Sequence, residues 1–215
     1  MMLGLALAGC DKKNPEAQKL EVSPASITLK ANGWQQITTN AKKPTFQVAD
    51  KYYASVDAEG LVIANLVGQT EVEVSSNIGT ATIPVTIEAE YNLYPDIDGI
   101  VNKDIAAMEA VMGGGYKVLE GTVETGTAGQ ALYTYKGPTD AIDAIVFTFN
   151  NGKCDKIAVA VLKANYDVVL KHLTERYSIT GKKGDEYAFT NHDKNVEIGL
   201  KDYSETHWAV GYLPK

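Results

Sequence analysis

Between Leu20 and Glu88 apolar residues recur at every second position in short runs, and this period of two restricts the fold more than any other feature. The runs are Ile27-Thr28-Leu29, Gln36-Ile37-Thr38, Leu61-Val62-Ile63, Val72-Glu73-Val74 and Ile83-Pro84-Val85-Thr86-Ile87. Alternation puts every second side chain on one face of a strand, so each run buries one face and wets the other. Asn32-Gly33, Glu59-Gly60, Val67-Gly68 and Asn77-Ile78-Gly79 separate the runs with residues suited to tight turns. No helical period interrupts them. Many short strands at near-regular spacing predict a small β-sandwich over residues 20–88.

After Ala89-Glu90 the pattern changes. Ile105, Met108, Val111 and Met112 share a helical face, with Asn102 as the expected N-cap and Gly113-Gly114-Gly115 as the stop. Tyr166, Val169, Leu170, Leu173 and Tyr177 form an amphipathic stripe that predicts a second helix over about 165–177. Strands are expected at 131–135, 144–149 and 156–162 after the first helix, and at 186–190, 196–201 and 207–213 after the second. Asn151-Gly152 marks a two-residue hairpin, since both positions take positive φ.

The halves look like a duplication. Each has a helix, a Tyr (Tyr116, Tyr177), an aromatic strand and a two-strand meander, with a longer connection near 117–130 in the first. The expected second domain, residues 91–215, is therefore α+β: a six-stranded, mostly antiparallel sheet with two helices on one face. Strand parity aims Ile157, Val159, Val161, Val196, Ile198, Leu200, Trp208, Val210 and Tyr212 at the helices. It leaves Cys154, Lys156, Ala158, Ala160, Glu197, Gly199, Lys201, His207, Ala209 and Gly211 on the open face. That face is small and polar: a solvated surface, or a shallow trough into which a partner settles.

Two resemblances follow from particular residues. Val22-Ser23-Pro24, Ile27-Thr28-Leu29, Gly33, Gln36-Ile37-Thr38, Ala54-Ser55-Val56-Asp57, Gly60-Leu61-Val62, Val67-Gly68-Gln69-Thr70 and Ala81–Ile87 are similar, in order and spacing, to the bacterial Ig-like domain, group 2. The resemblance implies an Ig-like sandwich that serves as a spacer in surface proteins and carries no catalytic residues. Leu7-Ala8-Gly9-Cys10 resembles the bacterial lipobox. That resemblance implies a signal segment over 1–10, lipid on Cys10 as the mature N-terminus and membrane attachment through it, with residues 11–19 as a tether. Several acyl chains together give lasting anchorage.

Composition excludes some functions. With 20 Lys+Arg against 27 Asp+Glu the net charge is −7, which disfavours nucleic acid as a partner. The histidines His172, His192 and His207 have no zinc-binding spacing, and CxxC and GxSxG are absent. Cys154 with His207 is the remaining nucleophile–base pair, expected by coincidence alone. Pro95-Asp96-Ile97-Asp98-Gly99 departs from a calcium loop at two ligand positions and reads as an inter-domain turn. Neither catalytic residues, a metal nor a cofactor is expected. Twelve tyrosines are the one excess, and Tyr suits protein and sugar recognition. Tyr133, Tyr135, Glu197, Lys201, Tyr203 and His207 are thus the candidate binding residues. Trp34, beside the Asn32-Gly33 turn, reads as a partly buried rim residue or an exposed binding aromatic. The expected protein is a non-catalytic cell-envelope lipoprotein whose spacer presents a distal domain to a protein or glycan. The alternatives are an envelope enzyme inhibitor or chaperone-like protein, and a hydrolase with an unrecognised site.

Overall fold

The computed structural model describes residues 18–113 and 130–215. Cys10, most of the tether, Tyr116 and most of the connection near 117–130 lie outside the described residues.

Nine strands build the first unit. They are β1 (Val22–Ser23), β2 (Ile27–Lys30), β3 (Trp34–Gln36), β4 (Thr38–Thr39), β5 (Thr45–Val48), β6 (Ala54–Val56), β7 (Leu61–Ala64), β8 (Gly68–Ser76) and β9 (Gly79–Glu88). The order β2-β9-β8-β5 forms one sheet and β3-β7-β6 another, while β1 pairs with β4. β2 runs parallel to β9, and β8 and β9 form an antiparallel hairpin. The alternating residues Ile27, Val62, Val72, Val74, Ile83, Val85 and Ile87 fill the core between the sheets. Each such side chain contributes about 1.5–3 kcal/mol relative to exposure. Gly60, at φ 84°, lies so close to the Phe46 ring that a Cβ would approach it to 2.7 Å.

The second unit is β-rich with two short helices. Its elements are α1 (Ile105–Met112), β10 (Gln130–Lys136), β11 (Ile142–Asn150), β12 (Lys153–Leu162), α2 (Tyr166–Thr174), β13 (Ser178–Lys183), β14 (Glu186–Thr190), β15 (Val196–Asp202) and β16 (His207–Pro214). The helices have only 8 and 9 residues against seven strands, so the α+β expectation holds in a coarser form. Among the described residues seven strands replace the expected six, all antiparallel, in the order β10-β11-β12-β16-β15-β14-β13. The additional one, β13, is an edge strand whose residues are exposed or half-buried, so it carries no alternation to read. Met108 and Met112 of α1 and Val169 and Leu173 of α2 join one core with Phe147, Val159, Ile198, Val210 and Tyr212. All nine residues assigned by parity to the helix side are buried there.

Two local expectations are corrected. Asp104 caps α1, its side chain accepting from the Ala107 N–H at 3.2 Å, whereas Asn102 sits at φ 65° and donates its own N–H to the Cys154 carbonyl. Val111 turns outward, while Met108 and Met112 are buried in the core and Ile105 packs against it half-buried. The Asn151-Gly152 hairpin is as expected, with φ of 50° and 77°.

β12 and β16 meet antiparallel in the middle of the sheet, with Val159 opposite Val210, Ile157 opposite Tyr212 and Val161 opposite Trp208. Superposing the two halves by sequence places Ile157 on Trp208, Val159 on Val210 and Val161 on Tyr212. The seam therefore maps onto itself under a half-turn about the Val159–Val210 pair. Among the described residues β13 has no counterpart in the first half.

The two units touch through the end of α2. The Val67 N–H donates to the Glu175 carbonyl at 2.7 Å, and the Glu175 carboxylate accepts from the Glu90 and Tyr91 N–H groups. Arg176 donates to Asp96 at 2.9 Å, to the Asn92 side chain at 2.6 Å and to the Tyr91 and His172 carbonyls. Burial pushes the Tyr52 hydroxyl up to about 12, and this neutral phenol donates to the Arg176 carbonyl at 3.0 Å.

Candidate functional site

The face of the second sheet away from the helices holds a trough of about 430 Å³. Ala158 and Ala160 of β12, Ala209 and Gly211 of β16 and Gly199 of β15 form its floor. In the register Ala158 pairs with Gly211, Ala160 with Ala209 and Gly199 with Gly211. Three strands thus place their smallest side chains in one patch, and the sheet surface sinks where larger residues would stand. A Cβ added at Gly211 would meet nothing within 4 Å, whereas one at Gly199 would touch Lys201 at 3.5 Å. The Lys201 stem therefore lies over Gly199, its apolar carbons against the floor.

Lys156, Glu197, Lys201, Tyr203, Val146 and Leu213 surround the floor. Tyr203, in the turn from β15 to β16, is 76 % exposed and donates its N–H to the His207 carbonyl at 3.3 Å. An exposed aromatic, two ammonium groups and one carboxylate around an apolar floor suit a guest with an apolar face and polar edges.

Of the candidate residues, Glu197, Lys201 and Tyr203 come together at this rim. His207 occupies the same face but stands apart from the trough, with Nδ1 2.8 Å from the Thr206 hydroxyl and Nε2 3.6 Å from the Asp143 carboxylate. Tyr133 and Tyr135 do not join them. They lie opposite Phe147 and Ile145 and point toward the helices, with Tyr133 edge-on to Phe149 and Tyr135 edge-on to Phe147. Tyr135 is buried. Val146 and Leu213, two walls of the trough, were not among the candidates. The apolar triplet Ile145-Val146-Phe147 was their signal, since in a one-sided strand the middle residue faces water.

Cys154 also departs from parity. Between Thr148 and Phe149 the β11–β12 register slips, opposing Thr148 to Lys156 but Phe149 to Cys154. The extra residue Asp155 turns Cys154 into the core, on the far side of the sheet from His207. Burial pushes its thiol up to about 11, and it contacts the Lys156 carbonyl at 3.7 Å. No thiolate–imidazole pair forms between them. Among the described residues no group of three or more His, Cys, Asp or Glu is placed to hold a metal ion.

A second apolar patch lies on the first unit. Trp34 is 67 % exposed and faces Ile63 across the β3–β7 pair, with Leu61 and Asn32 beside it. The exposed reading of Trp34 is the one the structure shows.

Residues 17–87 match the family model of the bacterial Ig-like domain (group 2). The N-terminal unit is Ig-like. Among solved structures the chain is similar to an intimin mutant of EHEC O157:H7, at 14 % identity and a TM-score of 0.30, over 45 % of this chain and 58 % of that one. It spans little more than half of that intimin chain. It is also similar to domains 5–6 of the S-layer protein SbsC, at 11 % identity and a TM-score of 0.29, over 92 % of this chain and 84 % of the other. Neither likeness carries an argument about function. No curated protein matches the chain. Among the described residues no helix is long and apolar enough to cross a membrane.

Proposed function

We propose that this is a non-catalytic lipoprotein of a bacterial cell envelope, anchored through Cys10, whose Ig-like unit is a spacer and whose β-rich unit binds a protein or glycan in the trough. The observation that carries the reading is the trough itself: a sheet face open to solvent, floored by Ala and Gly and rimmed by Tyr203, Lys201 and Glu197. An exposed concave surface that the fold does not use for its own core is the default recognition site. The family match over residues 17–87 supports the spacer, and the small-residue ending Leu7-Ala8-Gly9-Cys10 supports the anchor.

The test uses the full chain against an envelope extract and a glycan array, beside Gly211→Val and Lys201→Glu. A Cβ at position 211 meets nothing within 4 Å, so Val there projects into the trough from its floor. Specific retention lost in both variants, with melting unchanged, supports the reading. Equal retention by all three chains, or retention lost only in Trp34→Ala, removes the trough from the function. Anchoring is checked separately: Cys10→Ser is expected to move the protein from the membrane fraction to the soluble one and to end labelling by a radioactive fatty acid.

A further inference from the structure

The turn after β14 carries His192 across to the Ig-like unit. Its Nε2 lies 2.6 Å from the Asp50 carboxylate of that unit, and its Nδ1 lies 2.9 Å from the Asp193 carboxylate of its own turn. Tyr53 stacks on the imidazole at a centroid distance of 5.3 Å and an angle of 6°, and Tyr52 meets it edge-on at 4.9 Å. A neutral imidazole has one N–H, and an ionised carboxylate only accepts. Two carboxylates on two ring nitrogens therefore describe an imidazolium, sandwiched against an aromatic face.

We infer that His192, Asp50 and Tyr53 form a pH-responsive latch between the two units: closed while His192 is protonated and loosened when it is not. On the proposed roles of trough and spacer, the alignment of one relative to the other then follows the surrounding pH. The groups facing the latch are few. Asp50, Tyr52 and Tyr53 come from the Ig-like unit, and Asp193 from the His192 turn. The adjoining cleft of about 140 Å³ brings Asp96, Asp98 and Arg176. Arg176 is already paired with Asp96, and Asp98 accepts from Tyr177 and Asn191, so neither competes for the imidazole.

The sign follows from the partners. Hydrogen bonds to Asp193 first and Asp50 second hold His192 above its usual 6.5. The latch is thus fully formed below 6.5 and is lost as pH rises through the raised value. Asp50 is held below the usual carboxylate range, chiefly by the Tyr52 N–H, so its half of the pair fails only in acid. The bonds from Val67 to Glu175 and from Tyr52 to Arg176 involve no group that titrates in this window. Deprotonation loosens the joint without parting the units.

Two measurements on the full chain test this. The first is an NMR titration of His192 in the wild type, Asp50→Asn and Asp193→Asn. The second is hydrogen exchange of the Val67 amide, whose bond to Glu175 crosses the joint. His192 is expected to titrate above 6.5 and to fall in Asp50→Asn. Val67 protection, corrected for the intrinsic pH dependence, is expected to drop about threefold between about pH 6 and 8.5, the size of an exposed ion pair. In His192→Gln it is expected to stay level. A His192 titration unmoved by Asp50→Asn overturns the latch, whatever Asp193→Asn does. So does Val67 protection that is level in the wild type, or that drops equally in His192→Gln.

Discussion

At Gly211 the fold leaves room for a side chain and uses none. Glycine inside a strand is destabilising by about 0.5–1 kcal/mol, mostly through backbone entropy. Gly211→Val is therefore expected to leave the melting temperature level or raise it, while raising the floor of the trough and weakening binding there, and thermal unfolding beside a binding assay checks both. Arg176 is the opposite kind of residue: buried, with its donors distributed over Asp96, Asn92 and two carbonyls. Arg176→Met removes these bonds at once and is expected to cost about 2–3 kcal/mol in a urea titration, the scale of hydrogen bonds to a charged group. Neither residue stood out in the sequence. Gly211 was legible as part of a stripe, but Arg176 lies between the stripe residues Leu173 and Tyr177, where the periodicity carries no sign of its polar partners.

Elements were legible where one face is buried and the other wet. β15, β16 and the Lys156–Leu162 stretch of β12 alternate so cleanly that their core face follows from parity alone. β13 failed the same test, because Ser178–Lys183 is polar on both sides and lies at the sheet edge. Edge strands with lysines resist unwanted pairing, and that property erases the alternation. β12 shows a further limit of parity: one bulge reversed Cys154, and a bulge depends on the partner strand as much as on its own residues. The β11–β12 turn rests on Gly152, at φ 77° with open space around it. Gly152→Ala is expected to cost about 1 kcal/mol from backbone strain alone, seen as a lower urea midpoint with an unchanged slope.

For the whole molecule, pH acts through two histidines with opposite signs. His172 is fully buried, its Nδ1 2.9 Å from the Tyr91 carbonyl. Burial first, and the Arg176 charge second, lower it to about 4. Its folded value lies below its unfolded one, so the unfolded chain takes up the extra proton. Stability is expected to fall as pH drops from about 6.5 toward 4, by up to about 3 kcal/mol from this group. Asp98, raised by burial, offsets part of that loss in acid. His172→Asn is expected to flatten the slope in denaturation curves taken across that range. The joint between the units was the least legible feature of all. It is assembled from Tyr52, Val67, Glu175 and His192, positions far apart in the chain whose meeting depends on how two finished domains dock.

The half-turn relating β12 to β16 also bears on how a guest would read the trough. Turned end for end, it meets almost the same floor, because Ala158 exchanges with Ala209 and Ala160 with Gly211. The walls do not repeat. Val146 borders Ala158 where Lys201 borders Ala209. A guest is thus offered two nearly equivalent headings by the floor and one by the sides. At the middle of the floor that difference is the exchange of a valine for a lysine.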